Sequence, residues 1–249
     1  MKKLLDKFSN QASTYKKFRP TYPSELLELV YSHCTQRDSA WDCATGNGQV
    51  AVELAKEFKN VVATDISEKQ LKHAVQKTNI SYSVQRAEKT DFADQSFDLI
   101  TVAQAMHWFD FKVFNEEANR VLKRSGIIAV WGYGLMRVNP TIDVIIDNYY
   151  DNVIGPYWNE ERRHIDAEYK TIPFNFEEIQ IRKTFQIKVK WNLEQMKGYF
   201  NSWSAVQNYL EKDPDNNPVL QMMSELGNVW PYQEMEITFP LFVRIGKPR

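Results

Sequence analysis

Residues 41–49 read Trp-Asp-Cys-Ala-Thr-Gly-Asn-Gly-Gln, which puts Gly46 and Gly48 at alternate positions behind a short apolar run. Glycine lets a backbone approach a ligand closely, and the free N–H groups that open a following helix can receive it. Past Gly48, Asp65 closes the next apolar run, where a carboxylate can accept both hydroxyls of a ribose. Turn and acid together are the chemistry of a nucleotide-type cofactor. A second constellation, Gln104-Ala105-Met106-His107-Trp108-Phe109, follows a longer apolar run. Ligands of open α/β sheets bind beyond the carboxyl ends of the strands, so Gln104 and His107 are expected to share a crevice with Gly46. His107 is the candidate base for a hydroxyl or amine substrate that must lose a proton. A carboxylate substrate would need no base but a cation to orient it; Arg19 is that candidate, with Tyr15 near it.

Gly46-x-Gly48-x-x-Ala51 also fits a dinucleotide fingerprint. Two features tilt the choice away from it. Asp42 precedes the turn, where it would repel a pyrophosphate and attract a cationic amino-acid tail. The helix start after the turn also carries no Lys or Arg for phosphate. A nicotinamide-dependent oxidoreductase and a cofactor-binding protein without catalysis stay open as alternatives. Tyr22, Trp131, Tyr133 and Trp203 could wall the pocket or pack the core. The four histidines, His33, His73, His107 and His164, show no metal-ligand spacing, and Cys43 reads as a small buried residue.

These residues need a scaffold that brings them to one edge. Apolar runs at residues 40–43, 61–63, 80–84, 97–103 and 127–131 alternate with helical patterns, which predicts five strands of a parallel, doubly wound sheet. A polar helix is expected over residues 68–77. Asp110 is expected to cap a helix that Ser125-Gly126 would stop. After Gly134 the rhythm changes to a helical, aromatic stretch over 141–157 and a loop over 164–176. A half-exposed strand at 184–190, helical segments and a closing strand at 237–245 complete an antiparallel edge. The division expected is an N-terminal lid segment and first helix (1–30), a Rossmann-like cofactor core (31–134), and cap insertions with the last two strands (135–249). Residues 8–22, stiffened by Pro20 and Pro23, are expected to form a flap, faced by the region around residues 156–173 and the helix bearing Trp203.

Asp42-x-Ala44-x-Gly46-x-Gly48, then Asp65, Ala87-Glu88 and Ser96-Phe97-Asp98-Leu99-Ile100, resemble the seven-stranded class I methyltransferases that use S-adenosylmethionine. Tyr15-x-x-x-Arg19-Pro20-x-Tyr22-Pro23, Gln104-Ala105-x-His107-Trp108-Phe109 and Trp203-Ser204-Ala205 resemble the trans-aconitate-methyltransferase-like (methyltransferase type 11) branch of that family. The resemblance implies that Gly46 and Gly48 border the methionine part of the cofactor, Asp65 holds the ribose and Ala87-Glu88 flank the adenine. Asp42, Ala44, Ile66 and Gln104 complete the implied cofactor set; His107, Gln104, Arg19 and Tyr15 make the implied catalytic set. The family usually has glycine at the position of Ala44, a change expected to weaken packing at most.

The composition fits that reading. The chain has 249 residues, 31 Lys and Arg against 32 Asp and Glu, a net charge of −1 and 43% hydrophobic residues. Such a balance argues against a nucleic-acid partner, which calls for a basic surface, and no Asn/Asp-Pro-Pro-aromatic run follows the fourth strand. No apolar run approaches the roughly 18 residues that span a bilayer, and no signal-peptide core follows the start. The expectation is a cytoplasmic enzyme with a small-molecule substrate, no membrane partner and no bound metal.

Overall fold

The computed structural model describes residues 20–249; Tyr15, Arg19 and most of the expected flap lie outside the described residues. Helix α1 (Ser24–Ser32) buries Leu26, Leu27, Val30 and Tyr31 along one stripe. The core follows as β1 (Ser39–Cys43), α2 (Gln49–Leu54), β2 (Asn60–Asp65), α3 (Glu68–Lys72), β3 (Ile80–Val84), β4 (Phe97–Ala103), α4 (Phe111–Val121) and β5 (Leu122–Tyr133). The five strands pair in parallel in the order β3-β2-β1-β4-β5. Helices cover both faces of the sheet, so β4 is buried at all but its last residue, as its unbroken apolar run requires.

Beyond β5 the order continues to β8 (Met235–Lys247), which runs antiparallel to it. The far side of β8 is shared by two strands. Its end pairs with β6 (Glu177–Ile179), and the rest pairs with β7 (Phe185–Trp191). The expected antiparallel edge is therefore present, with the short β6 added to it in a stretch that has no strand pattern of its own. Burial alternates along β7, as expected of an outer strand. Between these strands lies a cap of α5 (Pro140–Asn148), α6 (Arg162–Asp166), α7 (Leu193–Asn201), α8 (Ser204–Leu210) and α9 (Pro218–Val229). No helix among the described residues is long and apolar enough to cross a membrane.

Several boundaries differ from the sequence expectations for local reasons. The Asp110 cap forms, its side chain accepting from the Val113 N–H at 3.2 Å. Its helix, however, ends at Val121, and the chain enters β5 at Leu122, running straight through Ser125-Gly126. The β4–β5 register shifts there, between Phe97 and Leu99. A side chain at Gly126 would stand 2.9 Å from the Phe97 carbonyl oxygen, so this glycine permits a close strand approach instead of ending a helix. Helix α3 stops at Lys72, short of the expected 77, and the chain beyond it is held to the neighbouring loop by Asn79, whose amide donates to the carbonyls of Ala55 (2.9 Å) and Phe58 (3.0 Å). The aromatic stretch after Asn139 is helical as expected but changes type along its length, from α5 (to Asn148) through a π turn, Tyr149–Val153, to a 3-10 turn, Gly155–Tyr157. The helical run around Trp203 is two helices, broken where Trp203 takes an extended conformation at the start of α8.

Candidate active site

Every βα connection that matters leaves the same rim of the sheet. At the end of β1 the backbone turns through three left-handed residues, Ala44 (φ 56°), Gly46 (58°) and Gly48 (81°). At Gly48 the positive φ favours glycine, and a side chain there would also stand 2.5 Å from the Tyr82 hydroxyl and push that ring aside. At Gly46 an added Cβ would meet nothing within 4 Å, so the turn presents its backbone to open space. Ala44 carries a cost that the packing expectation left out. Its cost is conformational, since an L side chain at positive φ is disfavoured by about 1–2 kcal/mol.

The turn is held by the acid predicted to hold a ribose. Asp65 accepts from the backbone N–H of Gly46 at 2.9 Å and from that of Ser67 at 2.8 Å, tying the β1 and β2 exits together. Burial raises its pKa, and those backbone donors pull the other way. Asp42 is more deeply placed, 1% exposed, with Thr101 donating to one carboxylate oxygen at 2.8 Å and Thr45 to the other. Burial pushes its pKa up to about 6, against those hydrogen bonds. Beside it the Asn47 side-chain amide nitrogen is buried with no hydrogen-bond partner. Asp42, Thr45, Asn47 and Gly46 line a recess of about 70 Å³, closed on its other side by Tyr22 and Tyr133.

A larger cavity of about 860 Å³ adjoins it, sharing Ala44, Gly46, Ala103 and Gln104. Asp65, Ile66, Ala87 and Glu88 border one end. Ile66 keeps 41% of its surface exposed, an apolar face available to a flat ring. Glu88 is oriented by Arg86 at 3.2 Å and by the Asp110 N–H at 3.1 Å. Gln104 lies at the junction of the two spaces. Its side-chain oxygen accepts from the Tyr133 N–H at 2.7 Å and its nitrogen donates to the Tyr133 carbonyl at 3.3 Å. That amide extends the β4–β5 ladder by side chain. His107 follows on a short 3-10 turn, Met106–Trp108, 5% exposed, with Nδ1 2.9 Å from the Tyr169 hydroxyl. Trp131 belongs to the core, not to either cavity wall, packing edge-on to Tyr22.

The wall facing the sheet rim comes from the cap, and sequence reasoning named only part of it. Trp203 lines the cavity and packs at a tilt of 46° against Trp158, the ring centroids 5.4 Å apart. Arg162 lies over the Trp158 ring at 4.7 Å and donates to the Tyr150 hydroxyl at 2.7 Å. His164, set aside at the sequence level for lack of metal spacing, also lines the cavity; its Nδ1 contacts the Thr171 hydroxyl at 2.7 Å. Burial and Arg163 hold its pKa below the usual histidine value. Gln70, on α3, was missed as well: it lines the cavity, and its side-chain oxygen is buried without a partner. Its signal in the sequence was only its place just after Asp65.

Comparison with known proteins converges on one chemistry. Residues 41–130 match the family model of a methyltransferase domain. A protein of Dictyostelium discoideum named as a methyltransferase is 40% identical over 97% of this chain and 95% of its own. A Saccharomyces cerevisiae protein named as an S-adenosylmethionine-dependent methyltransferase is 21% identical, over 91% of this chain and 90% of its own. A solved structure from Anaeromyxobacter dehalogenans, named as a type II methyltransferase, superposes with a TM-score of 0.84 at 33% identity, covering 92% of this chain and 98% of that one. The oxidoreductase alternative gains no support from these. A likeness at 40% identity that takes in the cap as well as the sheet is a likeness of the whole protein: the chain belongs to the methyltransferase family.

Proposed function

We propose that the protein is an S-adenosylmethionine-dependent methyltransferase acting on a small-molecule acceptor. One observation carries this reading. A single cavity of about 860 Å³ has the glycine turn, Asp65 and Glu88 at one end and His107 with the cap aromatics at the other, so cofactor and acceptor can share one enclosure. The residues also fit the cofactor's parts. The small recess offers Asp42 to an ammonium and the orphaned Asn47 amide to a carboxylate. Asp65 retains lone pairs for ribose hydroxyls, and Ile66, Ala87 and Glu88 suit the adenine.

When bound, S-adenosylmethionine supplies a methyl group activated on a sulfonium. The chain's own residues do the rest. His107 accepts a proton from a hydroxyl or amine acceptor. Trp158, Trp203, Phe109 and Phe111 keep water from the enclosure, which strengthens every charge interaction inside it. Gln104 fixes the wall between cofactor and acceptor by clamping Tyr133. Arg19, with Tyr15, is kept for the case of a carboxylate acceptor.

Calorimetry with S-adenosylhomocysteine tests the reading. Binding in the micromolar range, about −8 kcal/mol, is expected, with NADH far weaker. Tighter binding of NADH would overturn it.

A further inference from the structure

Tyr169 is fully buried, yet the backbone that carries it is strained. Glu168 and Tyr169 are consecutive left-handed residues, at φ 54° and 59°. A bulky aromatic residue in that region is an outlier that persists only where its surroundings over-determine it, and such positions cluster at functional sites. Here the surroundings are visible. The Tyr169 N–H donates to the His164 carbonyl at 2.7 Å. Its own carbonyl accepts from Arg244 at 2.9 Å, and Arg244 also donates to the Ile172 carbonyl at 2.8 Å. The other guanidinium nitrogens of Arg244 are held by the two Glu178 carboxylate oxygens at 2.8 and 2.9 Å. The Tyr169 ring meets Phe242 edge-on, with centroids 4.9 Å apart. Phe242 and Arg244 both belong to β8, so the antiparallel edge of the sheet fixes this tyrosine from backbone to ring. What it delivers is one hydroxyl, 2.9 Å from Nδ1 of His107.

We propose that Tyr169 is the positioning residue for His107, its hydroxyl accepting from Nδ1–H and so holding the imidazole in the one tautomer and orientation that leaves Nε2 as the proton acceptor. The inference rests on His107 being the base. The two ring nitrogens of a neutral histidine have opposite roles, and the bond made at one sets the role of the other. With Nδ1 protonated, the acceptor's proton passes to Nε2, while Nδ1 keeps its own proton and the phenol stays neutral. With the bond reversed, Nε2 would carry a proton and could only donate.

Long-range nitrogen–proton correlation spectra of the full-length, nitrogen-labelled protein, with S-adenosylhomocysteine as the probe bound in the site, test this directly. The His107 signals are identified by their loss in His107→Gln. The wild-type protein at neutral pH is expected to show a protonated Nδ1 and an unprotonated Nε2. Tyr169→Phe, which keeps the ring against Phe242, is expected to lose that signature and shift toward the tautomer mixture of an unrestrained histidine. A protonated Nε2 in the wild type, or an unchanged His107 spectrum in Tyr169→Phe, overturns the proposal. Should the variant fail to fold, the wild-type spectrum alone decides. Failure of the base reading is seen separately, as undiminished transfer of labelled methyl from S-adenosylmethionine into a small-molecule cell extract by His107→Gln.

Discussion

A carboxylate as buried as Asp42 makes stability depend on pH in a direction that can be worked out. Its folded pKa of about 6 lies above its ordinary 3.8, so between those values the folded chain binds more protons than the unfolded one. The contribution is fully present below the unfolded pKa and lost as pH rises through the folded one, a loss of about 2 kcal/mol between pH 4.5 and 7.5. Asp42→Asn removes the titration while keeping the shape. Urea denaturation at the two pH values is expected to show the wild type losing that much relative to the variant; parallel curves would refute the burial argument. The same variant should weaken S-adenosylhomocysteine binding, because the recess loses its negative charge. Ala44 gives a second residue-scale test. Ala44→Gly relieves roughly 1–2 kcal/mol of left-handed strain and costs about 0.5–1 kcal/mol in chain entropy. The net gain of up to about 1.5 kcal/mol should raise Tm by up to ~3–6 °C. A lower Tm would mean that the Ala44 methyl packs more than it strains.

Elements are tied at the opposite end of the sheet from the cavity, and this separates stability from function. Asp98, 2% exposed at the start of β4, accepts from the N–H groups of Asp38 (3.0 Å) and Ser39 (2.9 Å), which lead into β1. Lys123, in β5, donates to its other oxygen at 2.8 Å. One carboxylate thus clasps three strands. Asp98→Ala leaves two N–H groups and a partly buried ammonium unpaired, a loss of about 3–5 kcal/mol by urea denaturation. The affinity of the folded variant for S-adenosylhomocysteine should stay within about twofold, since no cavity residue is touched. A large affinity loss would show that the two ends of the sheet are coupled. What was legible in the sequence follows the same division. The glycine turn, Asp65 and His107 could be picked out because each sits at or within a few residues of a strand's carboxyl end, where local chain order dictates the rim it occupies; Ala87-Glu88 came only from the family resemblance. Strand β6 has three residues and exists only because β8 is long enough to offer an edge. His164 and Trp158 reach the cavity through tertiary packing of short cap helices, whose apolar spacing does not say which face meets the site. The commitment of the Gln104 amide to Tyr133 is equally non-local.

At the scale of the molecule, the cavity is walled by two bodies of structure that meet only partly through the sheet. Its floor is the carboxyl rim of β1, β2 and β4; its roof is the cap, from Trp158 to Ile165 and at Trp203 and Ser204. A ligand that fills the floor end alone would stabilise the rim and leave the roof free to open locally, because local opening follows the contacts that a segment makes. A ligand that reaches both should protect both. S-adenosylhomocysteine at 100 times its Kd adds about 2.7 kcal/mol to folded-state stability by mass action. For a chain of this length that is expected to raise Tm by ~5–10 °C. Hydrogen exchange then locates the gain. Residues 44–48 and 65–70 should slow in every case, since they bear the turn and the acid. Slowing at residues 158–165 and 203–204 as well is the expected result, because the enclosure is continuous between floor and roof. Protection confined to the rim would mean that the cofactor leaves the cap untouched. Closure over the reacting groups would then fall to the acceptor, whose arrival alone could exclude water from the enclosure.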